Sequence, residues 1–269
     1  MSQSLDPNEV MWNRMTAETL RGKASEGAMV LLPVASTEQH GPHLATGVDT
    51  FLCTEACRLT ALELKASHPV VVAPCVWMGL AEHHMEFGGT FSLSLRTWHS
   101  LLEDLCRSIQ RHGFTKIAII NGHGGNMSAL NALTTDLTRD LGISVATTTY
   151  LIPASHAGKL VDILEDQTGV IHACEAETSM MMHAHPDLVE HSRLEDATGH
   201  NSSMSDVLEP PIHRWHSFKE LTPSGVLGDA RRSTPEKGDR LFKVMAETLA
   251  EALLDEKLWP TALPRHNPV

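Results

Sequence analysis

The chain has 269 residues and a formal net charge of −12, with 33 Asp and Glu against 21 scattered Lys and Arg. This balance argues against a nucleic-acid backbone as partner. No run approaches the roughly 20 apolar residues of a membrane-spanning helix, and the first residues lack the basic and apolar regions of a signal peptide. A cytoplasmic protein that binds neither nucleic acid nor membrane is predicted.

Apolar runs alternate with helical patterns along the chain. Continuous apolar runs, typical of buried parallel strands, lie at 28–35, 70–78, 116–120 and 143–151. Helical spacing predicts helices at 50–64, 97–112, 127–141, 176–185 and 237–254. The alternation predicts a single three-layer α/β domain over residues 1–269, with a mostly parallel sheet flanked by helices. The polar stretch 187–240, which includes Pro210 and Pro211, is interpreted as loop-rich surface, a lid or a subunit contact.

The polar residues of interest follow the predicted strands. Ligands bind at the carboxyl ends of the strands in such sheets, and three loops, 36–43, 79–89 and 121–126, follow the first three strands. The five cysteines lie mostly in apolar segments and form no C-x-x-C loop, so reduced thiols are expected.

Two carboxylates and one imidazole follow the first strand. Glu38 and His40 are two residues apart, so an extended backbone projects them to the same side. Asp49 opens the next helix, where an acidic side chain is favoured. This set suits borderline divalent ions such as zinc or manganese. A loop hydrogen-bonding role for Glu38 and His40, with Asp49 as a helix cap, is an equal alternative for this segment alone.

His123 favours the metal interpretation. It follows an apolar strand in the turn Asn121-Gly122-His123-Gly124-Gly125-Asn126, where glycines allow close approach of the backbone to an ion or substrate. A third cluster, His172 to Glu177, opens a helix. Glu175 and Glu177 cannot share one helical face, so at most one of them faces a metal.

The second loop supplies candidates for the rim of the site. They are Glu82, His83, His84 and Glu86. Trp77, Met78, His84 and Trp215 could form an apolar, aromatic substrate wall, and they are equally well explained as core residues.

Five motifs in order resemble the creatininase family of metal-dependent amidohydrolases. They are Ser36-Thr37-Glu38-Gln39-His40-Gly41-Pro42-His43-Leu44 with Asp49; Glu82-His83 with Phe87-Gly88-Gly89-Thr90; the His123 turn; His172-Ala173-x-Glu175-x-Glu177-Thr178-Ser179; and Gly225-Val226-x-Gly228-Asp229 before Thr234-x-Glu236-x-Gly238. The match covers about residues 28–240.

The resemblance implies a homo-oligomer, often a hexamer, and two divalent ions. Zn²⁺ is favoured, with Mn²⁺ or Fe²⁺ as alternatives. By resemblance, Glu38 and His123 bind one ion, His40 binds the other, and Asp49 bridges both. The family enzyme's remaining carboxylate ligand stands two residues after the motif's histidine, where this chain has Gly125. Either Glu177 or Glu175 replaces that ligand, or the second ion is weakly held.

The activity implied is the opening of a small cyclic amide, a lactam or a cyclic ureide, by a hydroxide that bridges the ions. His172 is the candidate proton carrier, Glu175 a second catalytic candidate, and His84, Trp77, Gly124 and Gly125 the candidate substrate contacts. The N–H groups around Gly124 and Gly125 would stabilise the oxyanion. Hydrolysis of a lactone or a linear formamide is an alternative, as is a metal-binding subunit without turnover.

Overall fold

The computed structural model describes residues 6, 8–151, 158–160, 162–165, 167, 169–200, 212 and 214–260. The strands are β1 (Met29–Val34), β2 (Val70–Val72), β3 (Lys116–Asn121) and β4 (Ser144–Thr149). The helices are α1 (Ala17–Ser25), α2 (Val48–Leu64), α3 (Leu95–Arg111), α4 (Met127–Leu141), α5 (Glu175–Ala184), α6 (Phe218–Leu221) and α7 (Pro235–Leu253). Pro210 and Pro211 of the predicted surface stretch lie outside the described residues.

The four strands form one sheet in the order β2-β1-β3-β4, and all three pairings are parallel. The predicted mostly parallel sheet is therefore confirmed. The chain moves from β1 to β2 on one side and then crosses to β3 on the other. This reversal opens a crevice between the carboxyl ends of β1 and β3, which is where α/β sheets of this kind bind ligands.

The sheet is apolar on both faces because helices cover both. Met29 and Leu31 of β1 join a hydrophobic cluster with α2, α5 and α7, whereas Val30 and Leu32 join a second cluster with α3 and α4. Successive side chains of a strand point to opposite faces. The continuous apolar runs of the sequence therefore contribute side chains to both hydrophobic clusters, one on each face of the sheet. The predicted three layers are confirmed.

Strand β2 is shorter than the predicted 70–78, and proline is the reason. The N–H of Ala73 donates to Leu31 O (2.8 Å) and the N–H of Val76 donates to Pro33 O (2.9 Å). Donors to one parallel neighbour normally lie two residues apart, and these two lie three apart, so Pro74 and Cys75 form a bulge that interrupts the ladder. Pro33 faces the same gap, which explains how a proline is accommodated in a central strand.

The structure also has a helix that the apolar pattern did not predict. Helix α1 begins after Thr16, whose side chain accepts the N–H of Thr19, and none of its residues is fully buried. A helix that buries no stripe carries little periodic signal. Among the described residues, no helix is both long and apolar enough to cross a membrane.

Candidate metal centre

Five acidic and histidine side chains meet at the carboxyl edge of the sheet. Glu38 and His40 follow β1, Asp49 lies in the first turn of α2, His123 follows β3, and Glu177 lies in the first turn of α5. Each is at most 3% exposed. Charged groups are rarely this buried unless they are paired or bind a metal.

The first group of three consists of Glu38, Asp49 and His123. His123 Nδ1 lies 3.0 Å from Glu38 Oε2 and 3.3 Å from Asp49 Oδ2. The opposite nitrogen of the ring, Nε2, donates to Leu80 O at 3.2 Å. A backbone carbonyl can only accept, so this bond assigns a proton to Nε2 and leaves Nδ1 directed at the two carboxylates, as in a metal-binding histidine.

The second group consists of His40, Asp49 and Glu177. His40 Nε2 lies 3.1 Å from Asp49 Oδ1 and 4.0 Å from Glu177 Oε2, while its Nδ1 donates to the backbone carbonyl of Glu38 at 3.2 Å. The two oxygens of Asp49 thus face two different histidines. This is the arrangement that a bridging carboxylate requires.

The unpartnered atoms of the cluster test whether a cation fits. Glu38 Oε2, His40 Nε2 and Asp49 Oδ2 are buried without a hydrogen-bond partner, although each lies close to an atom of opposite character. Buried polar atoms left unpaired are costly, and a divalent cation in each group of three would bind all of them. Three nitrogen or oxygen ligands with one open position are typical of catalytic zinc sites. The residues therefore fit divalent ions.

Mutual interactions set the charges of the cluster. Burial raises the pKa of the Glu38 and Glu177 carboxyls, the latter to about 7. Burial disfavours a charged His40, but the neighbouring carboxylates, Asp49 first, outweigh it and raise its pKa to about 9. Burial opposes ionisation of Asp49 too, and His40 with His123 nevertheless lowers its pKa. Proton and metal therefore compete for the same buried sites.

A strained residue positions Glu177. Ala173 has φ 51°, the one positive φ outside glycine among the described residues, and its N–H donates to Glu177 Oε2 at 2.5 Å. A left-handed conformation costs a non-glycine residue roughly 1–2 kcal/mol. Such strain is concentrated at functional sites, and here it points a backbone donor at the carboxylate of the second group.

The structure distinguishes Glu175 from Glu177, whereas the sequence left open which of the two faces the metals. Glu177 joins the metal groups, whereas Glu175 does not. The carboxylate of Glu175 is fully buried, is bound by Lys237 Nζ at 2.5 Å and accepts the N–H of Glu165. The carboxylate of Glu175 is thus paired with the Lys237 ammonium and lies outside the metal groups, and its predicted catalytic role stays a prediction.

His84 and His172 lie beside the first group. His84 Nε2 is 3.2 Å from Glu38 Oε1, and His172 Nδ1 is 3.7 Å from the same oxygen. Their rings stack with centroids 4.6 Å apart. Burial lowers the pKa of both, and neighbouring histidines lower it further. Both rings are thus neutral and face the carboxylate of Glu38.

The Gly124-Gly125 turn lies against His123. A Cβ built on Gly125 would lie 2.5 Å from His123 Nε2, 2.6 Å from Leu80 O and 2.7 Å from His83 Cε1. No side chain fits there without displacing its neighbours. The ring of His83 stacks on that of His123 at 5.5 Å, so His83 fills the space next to the turn.

Phe218 is a site residue that sequence reasoning missed. Its ring is 4% exposed and packs on His84 (4.1 Å between centroids) and edge-on to His172 (4.8 Å). The capping box of Ser217 and Glu220 fixes the short helix α6 that carries it. No motif marks a lone phenylalanine in a polar segment, although the Ser-x-x-Glu box itself was readable.

Tryptophan is not part of this wall. Trp77 is 43% exposed and packs edge-to-face on Phe91 at 5.6 Å, and Trp215 is 58% exposed. The backbone carbonyl of Trp77 accepts a hydrogen bond from Thr37 Oγ1, in the loop that follows β1. The predicted aromatic wall is therefore formed by Phe218 with the histidines, and a role for Trp77 as a substrate contact stays a prediction.

One tyrosine lies beneath the cluster. Tyr150 follows β4, is fully buried, and its hydroxyl has no hydrogen-bond partner. Burial raises its pKa, and the carboxylates of Glu177 and Asp49 raise it further. The phenol therefore stays protonated near the second group.

A buried carboxylate and histidine cluster at the switch point of a parallel α/β sheet is typical of a metal-dependent enzyme. The sequence matches the family described as "Creatininase: Creatinine amidohydrolase" over residues 13–253. The chain belongs to the creatininase family.

Relatives within the family carry different names. The chain is 31% identical over 227 residues to the "Mycofactocin precursor peptide peptidase" of Mycolicibacterium smegmatis, with 84% of each chain covered. It is 27% identical over 280 residues to the creatinine amidohydrolase of Pseudomonas putida, covering 95% of this chain and 98% of the relative. A solved structure of a putative creatinine amidohydrolase from Bacteroides fragilis superposes with TM-score 0.77 at 25% identity, covering 96% and 99%.

Proposed function

We propose that this protein hydrolyses an amide-type C–N bond in a small substrate, a cyclic amide such as a lactam or cyclic ureide, with two divalent ions. The observation that carries the proposal is the placement of Asp49, whose two oxygens lie 3.1 Å and 3.3 Å from two different histidines. Glu38 and His123 would complete one ion site, and His40 with Glu177 the other. Zn²⁺ is the favoured ion, with Mn²⁺ or Fe²⁺ as alternatives.

When bound, such ions supply Lewis-acid polarisation of a carbonyl and lower the pKa of water to near 7. Of the protein's groups, His172 is neutral and directs Nδ1 toward Glu38, so it can accept a proton there and return it to the leaving nitrogen. Gly124 and Gly125 offer backbone N–H groups to a developing oxyanion. Phe218 covers His84 and His172 and excludes bulk water from them.

The enclosure of the site favours a small substrate. His84 and Phe218 are at most 4% exposed, and His172 is 8% exposed. His83 is partly exposed and stacks on His123, so it is placed to contact what enters. A compact ring fits these close aromatic walls better than an extended chain does.

Peptide hydrolysis is the second candidate. It is favoured by the relatives named as mycofactocin precursor peptide peptidases, which are 30–31% identical over more than four fifths of the chain. Lactones and linear formamides use the same centre and remain alternatives, as does a subunit without turnover.

The test is a substrate panel offered to zinc-loaded and manganese-loaded protein. Lactams, cyclic ureides, lactones, formamides and short peptides are compared by product release. The blank is Asp49→Ala, which removes the bridging carboxylate, and its matched control is Asp136→Ala, which removes a partly exposed carboxylate on α4. Ring opening that is lost only in Asp49→Ala supports the proposal. Turnover of peptides alone would replace the proposal by peptide hydrolysis. No turnover of any substrate would favour a metal-binding subunit without catalytic activity.

A further inference from the structure

Gln39 stands between two of the candidate metal ligands in the sequence, but its side chain contacts other groups. It is 6% exposed. Its amide nitrogen lies 2.9 Å from His84 Nδ1, 3.0 Å from His172 Nε2 and 3.1 Å from Gly225 O. One amide therefore joins three segments of the site.

The orientation of this amide follows from its backbone contacts. The N–H of Gly41 donates to Gln39 Oε1 at 2.9 Å, so that atom is the oxygen. The nitrogen then donates one of its two protons to Gly225 O. One proton is left for the two histidine nitrogens, and they cannot both accept it.

The backbone of Gln39 decides between them. His172 Nε2 lies 2.9 Å from Gln39 O, and a carbonyl only accepts, so His172 carries its proton on Nε2. The remaining amide proton therefore goes to His84 Nδ1. His84 is then protonated on Nε2, from which it donates to Glu38 Oε1 at 3.2 Å.

We propose that Gln39 is a positioning residue that fixes the tautomers of both His84 and His172. In this arrangement His84 holds one oxygen of Glu38 by a hydrogen bond, and the other oxygen, Oε2, stays directed at His123 and the first ion group. His172 keeps Nδ1 without a proton and turned toward the centre. Outer partners of this kind orient the ligands that touch a metal.

The glycine at position 225 supports this reading independently. A Cβ there would lie 2.1 Å from Gln39 Oε1, and its φ is +84°. Because Gly225 has no side chain, it leaves the space that the Gln39 amide occupies. Two separate motifs, Glu38-Gln39-His40 and Gly225-Val226, are therefore parts of one hydrogen-bond unit.

The first test measures the tautomers of His84 and His172 by NMR spectroscopy. In protein labelled with ¹⁵N-histidine, long-range ¹H–¹⁵N correlation spectra distinguish Nδ1–H from Nε2–H, with the two rings assigned by peaks lost in H84Q and H172Q. The wild type is expected to show Nε2–H on both rings. Gln39→Glu keeps the length but only accepts, so His84 is expected to change to Nδ1–H. Gln39→Met removes both roles and is expected to give a mixture.

The matched control is Gln110→Met. Gln110 also donates its side-chain amide to a backbone carbonyl, Leu141 O at 2.5 Å, at the far ends of α3 and α4. It is expected to leave both tautomers unchanged. Wild-type spectra with Nδ1–H on either ring, or unchanged His84 spectra in both Gln39→Glu and Gln39→Met, would overturn the proposal.

Enzyme activity provides a second test, which rests on the proposed function. In Gln39→Met, kcat is expected to fall about 10–100-fold, as for other outer-shell partners, with KM unchanged. The spectra need neither substrate nor turnover. Failure to find a substrate therefore leaves the tautomer test intact, and altered tautomers with unaltered kcat would refute only the catalytic consequence.

Discussion

A methyl group at position 125 is expected to damage both stability and metal binding. The Cβ of Gly125→Ala would lie 2.5 Å from His123 Nε2 and 2.6 Å from Leu80 O, well below the 3.4 Å at which ordinary contact begins. Overpacking of this kind costs about 1–3 kcal/mol, and losing the His123 to Leu80 hydrogen bond costs about 1 kcal/mol more. We expect the free energy of unfolding to fall by about 2–4 kcal/mol.

Metal affinity should fall in the same variant, because the Leu80 carbonyl orients the His123 ring. Outer-shell losses of this kind reduce affinity about 10–100-fold. Urea unfolding and calorimetric zinc titration measure the two effects. Gly22→Ala is the matched control, since nothing lies within 4 Å of its Cβ, and it should stabilise helix α1 by about 0.5–1 kcal/mol. Wild-type stability and zinc affinity in Gly125→Ala would refute the reasoning.

Three further predictions address the charges around the cluster. Glu177→Gln should lower the bound metal by about one ion per chain, and unchanged stoichiometry by elemental analysis would exclude Glu177 as a ligand. Lys237→Met should lower the free energy of unfolding by about 3–5 kcal/mol, because buried Glu175 loses the Lys237 ammonium. The double variant with Glu175→Gln should regain part of this loss, and a double variant as unstable as Lys237→Met alone would contradict the ion pair. Zinc binding at pH 7.5 should release protons, because the metal-free pKa of His40 is about 9. Affinity should then rise with pH up to about 9, and titrations in buffers of different ionisation enthalpy check this.

The sheet was predictable because its signals are local. The apolar runs 28–35 and 116–120 lie within one residue of β1 and β3, since strands buried on both faces are apolar throughout. The end of β2 was not predictable, because the apolar residues continue past Pro74, and the bulge at Pro74 and Cys75 that interrupts the ladder does not change the apolar pattern. Helix α1 was missed for the opposite reason, as its capping is local but its burial is small.

The site was predictable where acidic and histidine residues directly follow the predicted strands. Glu38, His40 and His123 came from that rule, Asp49 came from its place at the start of the next helix, and the structure brings all four together. The choice between Glu175 and Glu177 was not, because it depends on which helix face meets Lys237. That partner lies 62 residues further along the chain.

Gln39 and Phe218 escaped notice for a related reason. Each acts through groups distant in sequence, Gln39 through His84 and His172, and Phe218 through the same two rings. The sequence does not show the role of an amide side chain between two ligands, because its hydrogen-bond partners lie far away in the chain.

Tyr150 is the only tyrosine in the chain, and its hydroxyl is buried with Glu177 and Asp49 as electrostatic neighbours. Protein grown with fluorotyrosine would therefore give one ¹⁹F resonance, and that resonance would report from directly beneath the cluster. Metal occupancy could then be followed in the purified protein without a substrate. The chain thus contains its own probe of metal binding at the cluster.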